Sequence, residues 1–291
     1  MAGGRRLEIV HRSGYRYVTD VVASFNEVRM RPAEVGGQLL VSHTLEVEPG
    51  AVVHAYRDYW GAVVEAFDIH HPHRVMEVVA SSVVLTPAGH PGARGVDWSD
   101  IAELAVQDRY CEYLMPTGYV DEIAPDDPRY AMVEQLRGLA SPADAVRAAV
   151  ANIHEHMTYT PGVTSVFTTS GEAWETGQGV CQDFAHAALS LLRTLRIPAR
   201  YVSGYLHSKE EAVGETVVGE SHAWIEAWFG GWEAFDPTNH RTVGSAHVKV
   251  ASGRDYLDVP PLKGLYAGGG SEALGVEVQI TQLAGDEQMP W

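Results

Sequence analysis

Cysteine is scarce in this chain: two residues, Cys111 and Cys181, among 291. Two thiols make no disulfide framework, and they fit a reducing compartment. Basic residues are also few, 21 against 38 acidic ones, for a formal net charge of −17. Such a field repels phosphate backbones and argues against a nucleic-acid partner. It favours solubility and weakly attracts cationic partners such as amines or Lys-rich proteins. No stretch approaches the roughly 20 apolar residues of a membrane helix, so no membrane partner is expected. The basic start, Met1-Ala2-Gly3-Gly4-Arg5-Arg6-Leu7, is followed by no apolar run, because Glu8, His11, Arg12 and Arg16 interrupt it. No signal peptide is read there, and a cytoplasmic location is expected by default. Internal repeats and low-complexity segments are missing as well.

What remains is the composition of an ordinary globular protein, 45% hydrophobic and 20% charged. The length suits about two domains or one large one. Residues 7–86 read as β structure. Leu39-Leu40-Val41, Thr44 to Val47, Ala62 to Ile69, Val75 to Val79 and Ser82 to Leu85 are short apolar or alternating runs. Turn signals such as Pro49-Gly50 separate them, as in an antiparallel sandwich. Residues 87–135 are rich in Pro and Gly and read as a connector, with a helix expected over Asp100 to Leu114. Ser141-Pro142-Ala143-Asp144 is a helix start, with a Ser cap and Pro at the first helical position. Val146, Ala149, Val150, Ile153 and Met157 then recur at helical spacing. A second helix begins near Cys181, with Phe184, Ala187, Ala188, Leu191, Leu192 and Leu195 on one face, and Ile197-Pro198 ends it. Strands are expected over Ala199 to Leu206, His222 to Phe229, Trp232 to Phe235 and Leu274 to Leu283.

The chemistry centres on Cys181. It follows Gly177-Gln178-Gly179-Val180 and opens an amphipathic helix. A helix N-terminus offers unpaired N–H groups and the positive end of a dipole, and both stabilise a thiolate. The glycines let the backbone approach a substrate, and the Cys181 N–H can then donate to an oxyanion. Cys111, between Tyr110 and Glu112 with no glycine approach, reads as structural. A thiolate nucleophile needs a base that later serves as acid, and histidine titrates in the right range. Among 14 histidines, His222 stands out because it opens a strand whose even positions, His222, Trp224, Glu226 and Trp228, share one face. Gly230-Gly231 makes a tight hairpin to the strand ending at Asp236. The register of that hairpin brings His222 near Asp236, which can orient the imidazole. Asp183, in the first helical turn, reads as a structural acid on the helix dipole. Tyr201 and Tyr205 are expected along the cleft. His70-His71-Pro72-His73 and His154-Glu155-His156 lack the i, i+4 spacing of zinc-binding helices, so no metal and no cofactor is expected.

The blocks Gly179-Val180-Cys181-Gln182-Asp183-Phe184-Ala185-His186, Ile197 to Tyr205, Ser221-His222-Ala223-Trp224 and Phe235-Asp236-Pro237-Thr238-Asn239 resemble the core of the bacterial transglutaminase-like superfamily. Residues 7–86, with Asp58-Tyr59-Trp60-Gly61-Ala62, resemble the β domain that often precedes that core, although Ala62 stands where Asn is expected. The resemblance implies an α+β protein in four parts. An antiparallel β-sandwich spans 1–87, a connector with a helix 88–135, a papain-like core 136–267, and a flexible link with a C-terminal strand 268–291. It implies Cys181 as nucleophile, His222 as base and Asp236 as orienter, with Trp174 a candidate aid to the oxyanion. The implied activity is acyl transfer or hydrolysis at a carboxamide or peptide bond. The substrate would be a protein, peptide or small amide. Hydrolysis is favoured because water is present at ~55 M while an amine acceptor needs its own site. The alternatives are a transglutaminase or amide synthase with an amine acceptor, and a non-catalytic binding module that keeps the fold. Oligomeric state is not legible.

Overall fold

Strands β1 (Arg5–Val21), β2 (Ala23–Val28), β3 (Leu39–Glu48), β4 (His54–Arg57), β5 (Val63–Ile69) and β6 (His73–Thr86) form the N-terminal region in a computed structural model. The structure describes residues 3–89, 92–93, 95–209, 213–219, 221–268 and 270–284. Burial alternates along β6, turning Met76, Val78, Ala80 and Val84 inward. At the Asp58 turn, Asp58 Oδ1 accepts from the N–H groups of Trp60 and Ala62 at 3.0 and 2.9 Å. The turn therefore closes with alanine at that position.

The connector departs from the expected single helix. Asp97 and Asp100 make a capping box that starts α1 (Trp98–Ile101) early, and extended ψ at Glu103 breaks the chain before α2 (Leu104–Arg109). A 3₁₀ turn follows at Cys111–Tyr113. Next come α3 (Tyr130–Arg137), α4 (Pro142–His156), β7 (Thr158–Tyr159), α5 (Ser170–Thr176), β8 (Gln178–Gly179) and α6 (Cys181–Thr194). Ser141 caps α4 by accepting from Asp144 N, as its sequence suggests. The capping box Thr169/Glu172 starts α5, an element with too few apolar repeats to stand out in sequence.

The core sheet has the order β13-β12-β11-β9-β14. Its strands are β9 (Ala199–Leu206), β11 (His222–Trp228), β12 (Trp232–Asp236), β13 (Arg241–Thr242) and β14 (His247–Gly253), and β10 (Thr216–Gly219) leaves it for the β domain. The register expected from Gly230-Gly231 is found, with Ile225 opposite Phe235 and Glu226 opposite Ala234. Buried Ala223, Ile225 and Ala227 join the core that includes α6 residues Phe184, Ala188 and Leu191. The tail returns to the start of the chain: β15 (Leu262–Ala267) pairs with β2, and β16 (Ser271–Leu283) with β1. Residues 262–267, grouped with the core from sequence, thus belong to the β sheets, because β2 offers them a free edge. Within the expected link, Gly269 lies outside the described residues, as do 285–291. The β sheets run β10-β16-β1-β6-β3 and β15-β2-β5-β4, and Tyr17, Met30, Phe67, Ile69 and Met76 fill the space between them. No helix of the described residues is long and apolar enough to cross a membrane.

Gly204 on β9 sits opposite His222. A Cβ there would strike the Val248 carbonyl oxygen and come within 2.6 Å of the Trp224 ring. Gly204→Ala is therefore expected to cost about 1–3 kcal/mol by overpacking, read as a lower urea midpoint. An unchanged midpoint would show that the strand yields without strain.

Candidate active site

Cys181 is the first residue of α6, so its backbone N–H has no intrahelical partner. The approach to it is fixed by Asp183, whose Oδ2 accepts from Val180 N at 2.8 Å and Thr164 Oγ1 at 2.7 Å. Gly179 lies against this carboxylate so closely that a Cβ would come within 2.5 Å of Asp183 Oδ2. Burial pushes the Asp183 carboxyl up, and the two hydrogen bonds oppose the rise. These contacts give Asp183 the structural role expected from its place in the helix.

The Cys181 sulfur is 4.0 Å from the Ser221 carbonyl oxygen and shares a cavity with the His222 imidazole, whose pKa it helps to raise. His222 heads β11, and its Nε2 is 2.8 Å from Asp236 Oδ2, which leaves Nδ1 for the sulfur. Burial disfavours the imidazolium, but hydrogen bonds to Asp236 and Cys181 outweigh it and push His222 up to about 10. Asp236 ends β12 and is fully buried. Its Oδ1 accepts from Thr238 N and Asn239 N, both at 3.1 Å, and its Oδ2 also accepts from Asn239 Nδ2 at 2.8 Å. Burial opposes that charge as well, yet hydrogen bonds from His222, His247 and the Asn239 side chain hold the carboxyl far below the usual range. The structure thus brings Cys181 and His222 to one cavity, with Asp236 bonded to the imidazole.

Sequence reasoning missed a second histidine on the same carboxylate. His247 Nε2 lies 3.3 Å from Asp236 Oδ2, while its Nδ1 accepts from Gly244 N at 3.3 Å. This pair of contacts fixes the Nε2–H tautomer. Burial holds His247 below its ordinary pKa, so Asp236 faces one imidazolium and one neutral imidazole. The alternation His247-Val248-Lys249-Val250 could have marked β14 as a strand, but not its neighbour across the sheet. Among the described residues, His222, Asp236 and His247 are the set whose ligand atoms, within 4.8 Å of one another, could hold a metal ion. Those atoms already hydrogen-bond to each other, and an ion would have to displace the protons between them.

The other expected positions separate. Cys111 is exposed in its 3₁₀ turn. Trp174 stacks on His156 at 3.7 Å between ring centroids. His154 bonds the Thr238 carbonyl through Nδ1, and His73 bonds that of His71.

A cavity of about 420 Å³ connects Cys181 and His222. Tyr201 lines it as expected, but Tyr205 lies behind the wall, donating to the Met30 carbonyl at 3.2 Å and accepting from His11 Nδ1 at 3.0 Å. His11, Ser13 and Tyr15 of β1 and Val276 of β16 complete the wall. The β domain therefore shapes the site directly. Burial lowers His11 to about 4, so that histidine is neutral and its Nε2 is an acceptor with no partner among the described residues.

Because Cys181 contributes to the raised pKa of His222, Cys181→Ala is expected to lower it. Imidazole NMR across a pH series reads this directly, and an unmoved titration would deny the sulfur–imidazole contact.

A thiol at a helix start, an imidazole and a buried carboxylate in sequence are the parts of a nucleophilic acyl-transfer centre. Comparison with known proteins agrees with that chemistry at the level of family. Residues 130–237 match the transglutaminase-like superfamily and residues 7–99 the bacterial transglutaminase-like N-terminal region. A protein of Mycobacterium leprae is 44% identical over 281 residues, 96% of this chain and 99% of its own. The protein-glutamine gamma-glutamyltransferase of Pseudomonas aeruginosa is 30% identical over 148 residues, 46% of this chain and 22% of that one. A solved structure from Cytophaga hutchinsonii, described as a candidate cysteine protease, superimposes with a TM-score of 0.77 at 21% identity, covering 100% of this chain and 94% of that one. The chain belongs to the transglutaminase-like superfamily.

Proposed function

We propose that this protein cleaves a carboxamide or peptide bond through a thioester on Cys181, with water as the final acceptor. The observation that carries the reading is the shared cavity in which the Cys181 sulfur meets an imidazole kept protonated by Asp236. The thiolate attacks the carbonyl carbon, and the new oxyanion is met by the free N–H of Cys181. His222 gives its Nδ1 proton to the departing amine or ammonia as the C–N bond breaks. The thioester remains. Neutral His222 then takes a proton from water, hydroxide adds to the thioester, and the acid departs as the thiolate and imidazolium are restored. Asp236 stays ionised throughout and holds the ring.

A second reading has an amine as acceptor, making the protein a transglutaminase or amide synthase. The name of the Pseudomonas aeruginosa relative favours it. The two readings share every step up to the thioester. A Gln-containing peptide incubated with and without a labelled amine decides between them. Glutamate formation in excess of label incorporation is expected, and the reverse ratio would replace water by the amine.

A further inference from the structure

A second cavity, of about 410 Å³, lies on the face of the core sheet away from α6, where the β domain meets it. Its floor holds three charged side chains. Glu226 on β11 is gripped by Arg200 of β9, with Nε to Oε2 at 2.6 Å, and by Lys249 of β14, with Nζ at 2.8 Å from both carboxylate oxygens. These side chains are only 13–20% exposed. One carboxylate between two cations leaves a positive charge in excess, and among the described residues no other Asp or Glu lines the cavity. Partly desolvated charge of one sign beside open space attracts a counterion strongly, because little water screens it. The walls add apolar surface from Trp60, Trp224 and Trp232, and the Arg200 guanidinium lies 4.1 Å over the Trp232 ring. That combination suits a flat apolar body carrying one negative charge.

We infer that this cavity binds a small carboxylate with an aromatic or apolar body, its charge set against Lys249 and Arg200 and its ring among the tryptophans. The site is separate from the Cys181 cavity, and His247 lines it while holding Asp236.

Benzoate is the probe, titrated into the full chain while tryptophan fluorescence is followed and checked by calorimetry. Saturable binding in the millimolar range or tighter is expected. Benzamide, of the same shape without charge, and benzylammonium are each expected to bind about tenfold more weakly, the difference a charge-assisted contact makes. Lys249→Met should weaken benzoate by a similar factor. Glu226→Gln should tighten it, since it removes the competing carboxylate. Trp60→Ala, which leaves the ion cluster intact, keeps the question open to test should either charge variant fail to fold, and it should weaken benzoate about threefold, the worth of partial loss of apolar contact. Cys181→Ala should bind benzoate as the wild type does, which separates this site from the catalytic reading. Equal affinity for benzoate and benzamide, or unchanged benzoate binding in Lys249→Met and Trp60→Ala, would overturn the inference.

Discussion

Replacing Cys181 by Ala is expected to reduce amide turnover by at least about 10⁴-fold in kcat/KM, because only binding and oxyanion hydrogen bonds then remain to help the reaction. Cys111→Ala should leave turnover within about twofold, since that thiol is exposed and stands outside the cavity. Ammonia release from a Gln peptide measures both. The Cys181 side chain is only partly buried, so folding should survive its loss, and a preserved thermal transition confirms that the effect is chemical. Equal losses in the two variants would assign the nucleophile elsewhere. If neither variant lost activity, the thioester route would fall.

Asp236→Ala should damage both activity and stability. It removes the acceptor of Thr238 N, Asn239 N, Asn239 Nδ2, His222 and His247 together. Breaking a buried charge pair by deleting one partner costs about 3–5 kcal/mol. Loss of the oriented acid–base group should lower kcat by about 10²–10⁴-fold. Urea melts and steady-state rates separate the two effects. Asp236→Asn keeps the shape without the charge, and it should let His222 fall from about 10 towards its ordinary value.

The pH dependence follows from the signs. Asp236 is held below its unfolded pKa, so its stabilisation is present above roughly pH 4 and fades as pH falls below that. His222 is raised, so its stabilisation is complete below roughly pH 6.5 and fades as pH climbs through about 10. The wild-type advantage over Asp236→Asn should therefore be greatest between roughly pH 4 and 6.5 and narrow on both sides. A difference that stays flat from pH 3 to 10 would mean that the ion pair contributes nothing to folding.

Much of this site could be read before any fold was known, for reasons that are local. Ser141 and Pro142 announce α4 through capping chemistry within a single turn. The apolar stripe behind Cys181 announces α6, and Gly230-Gly231 sets a two-strand register that draws Asp236 towards His222. Other features were hidden because their causes are distant in sequence. The connector is broken into short pieces by a capping box of Asp97 and Asp100 that starts a helix early and by extended backbone at Glu103. His247 looked like one histidine among many, since nothing near it in sequence shows that β14 docks beside β9.

The sequence by itself determined the family, the helix that begins at Cys181 and the hairpin that aligns His222 with Asp236, because periodicity, caps and tight turns act over a few residues. Only the tertiary structure decided that His247 shares the carboxylate, that β1 and β16 from opposite ends of the chain wall the cavity, and that Arg200, Glu226 and Lys249 converge behind it. Those placements depend on which sheet edges find each other and which faces exclude water. Such pairing is a property of the whole packed chain, and no short window of residues carries it.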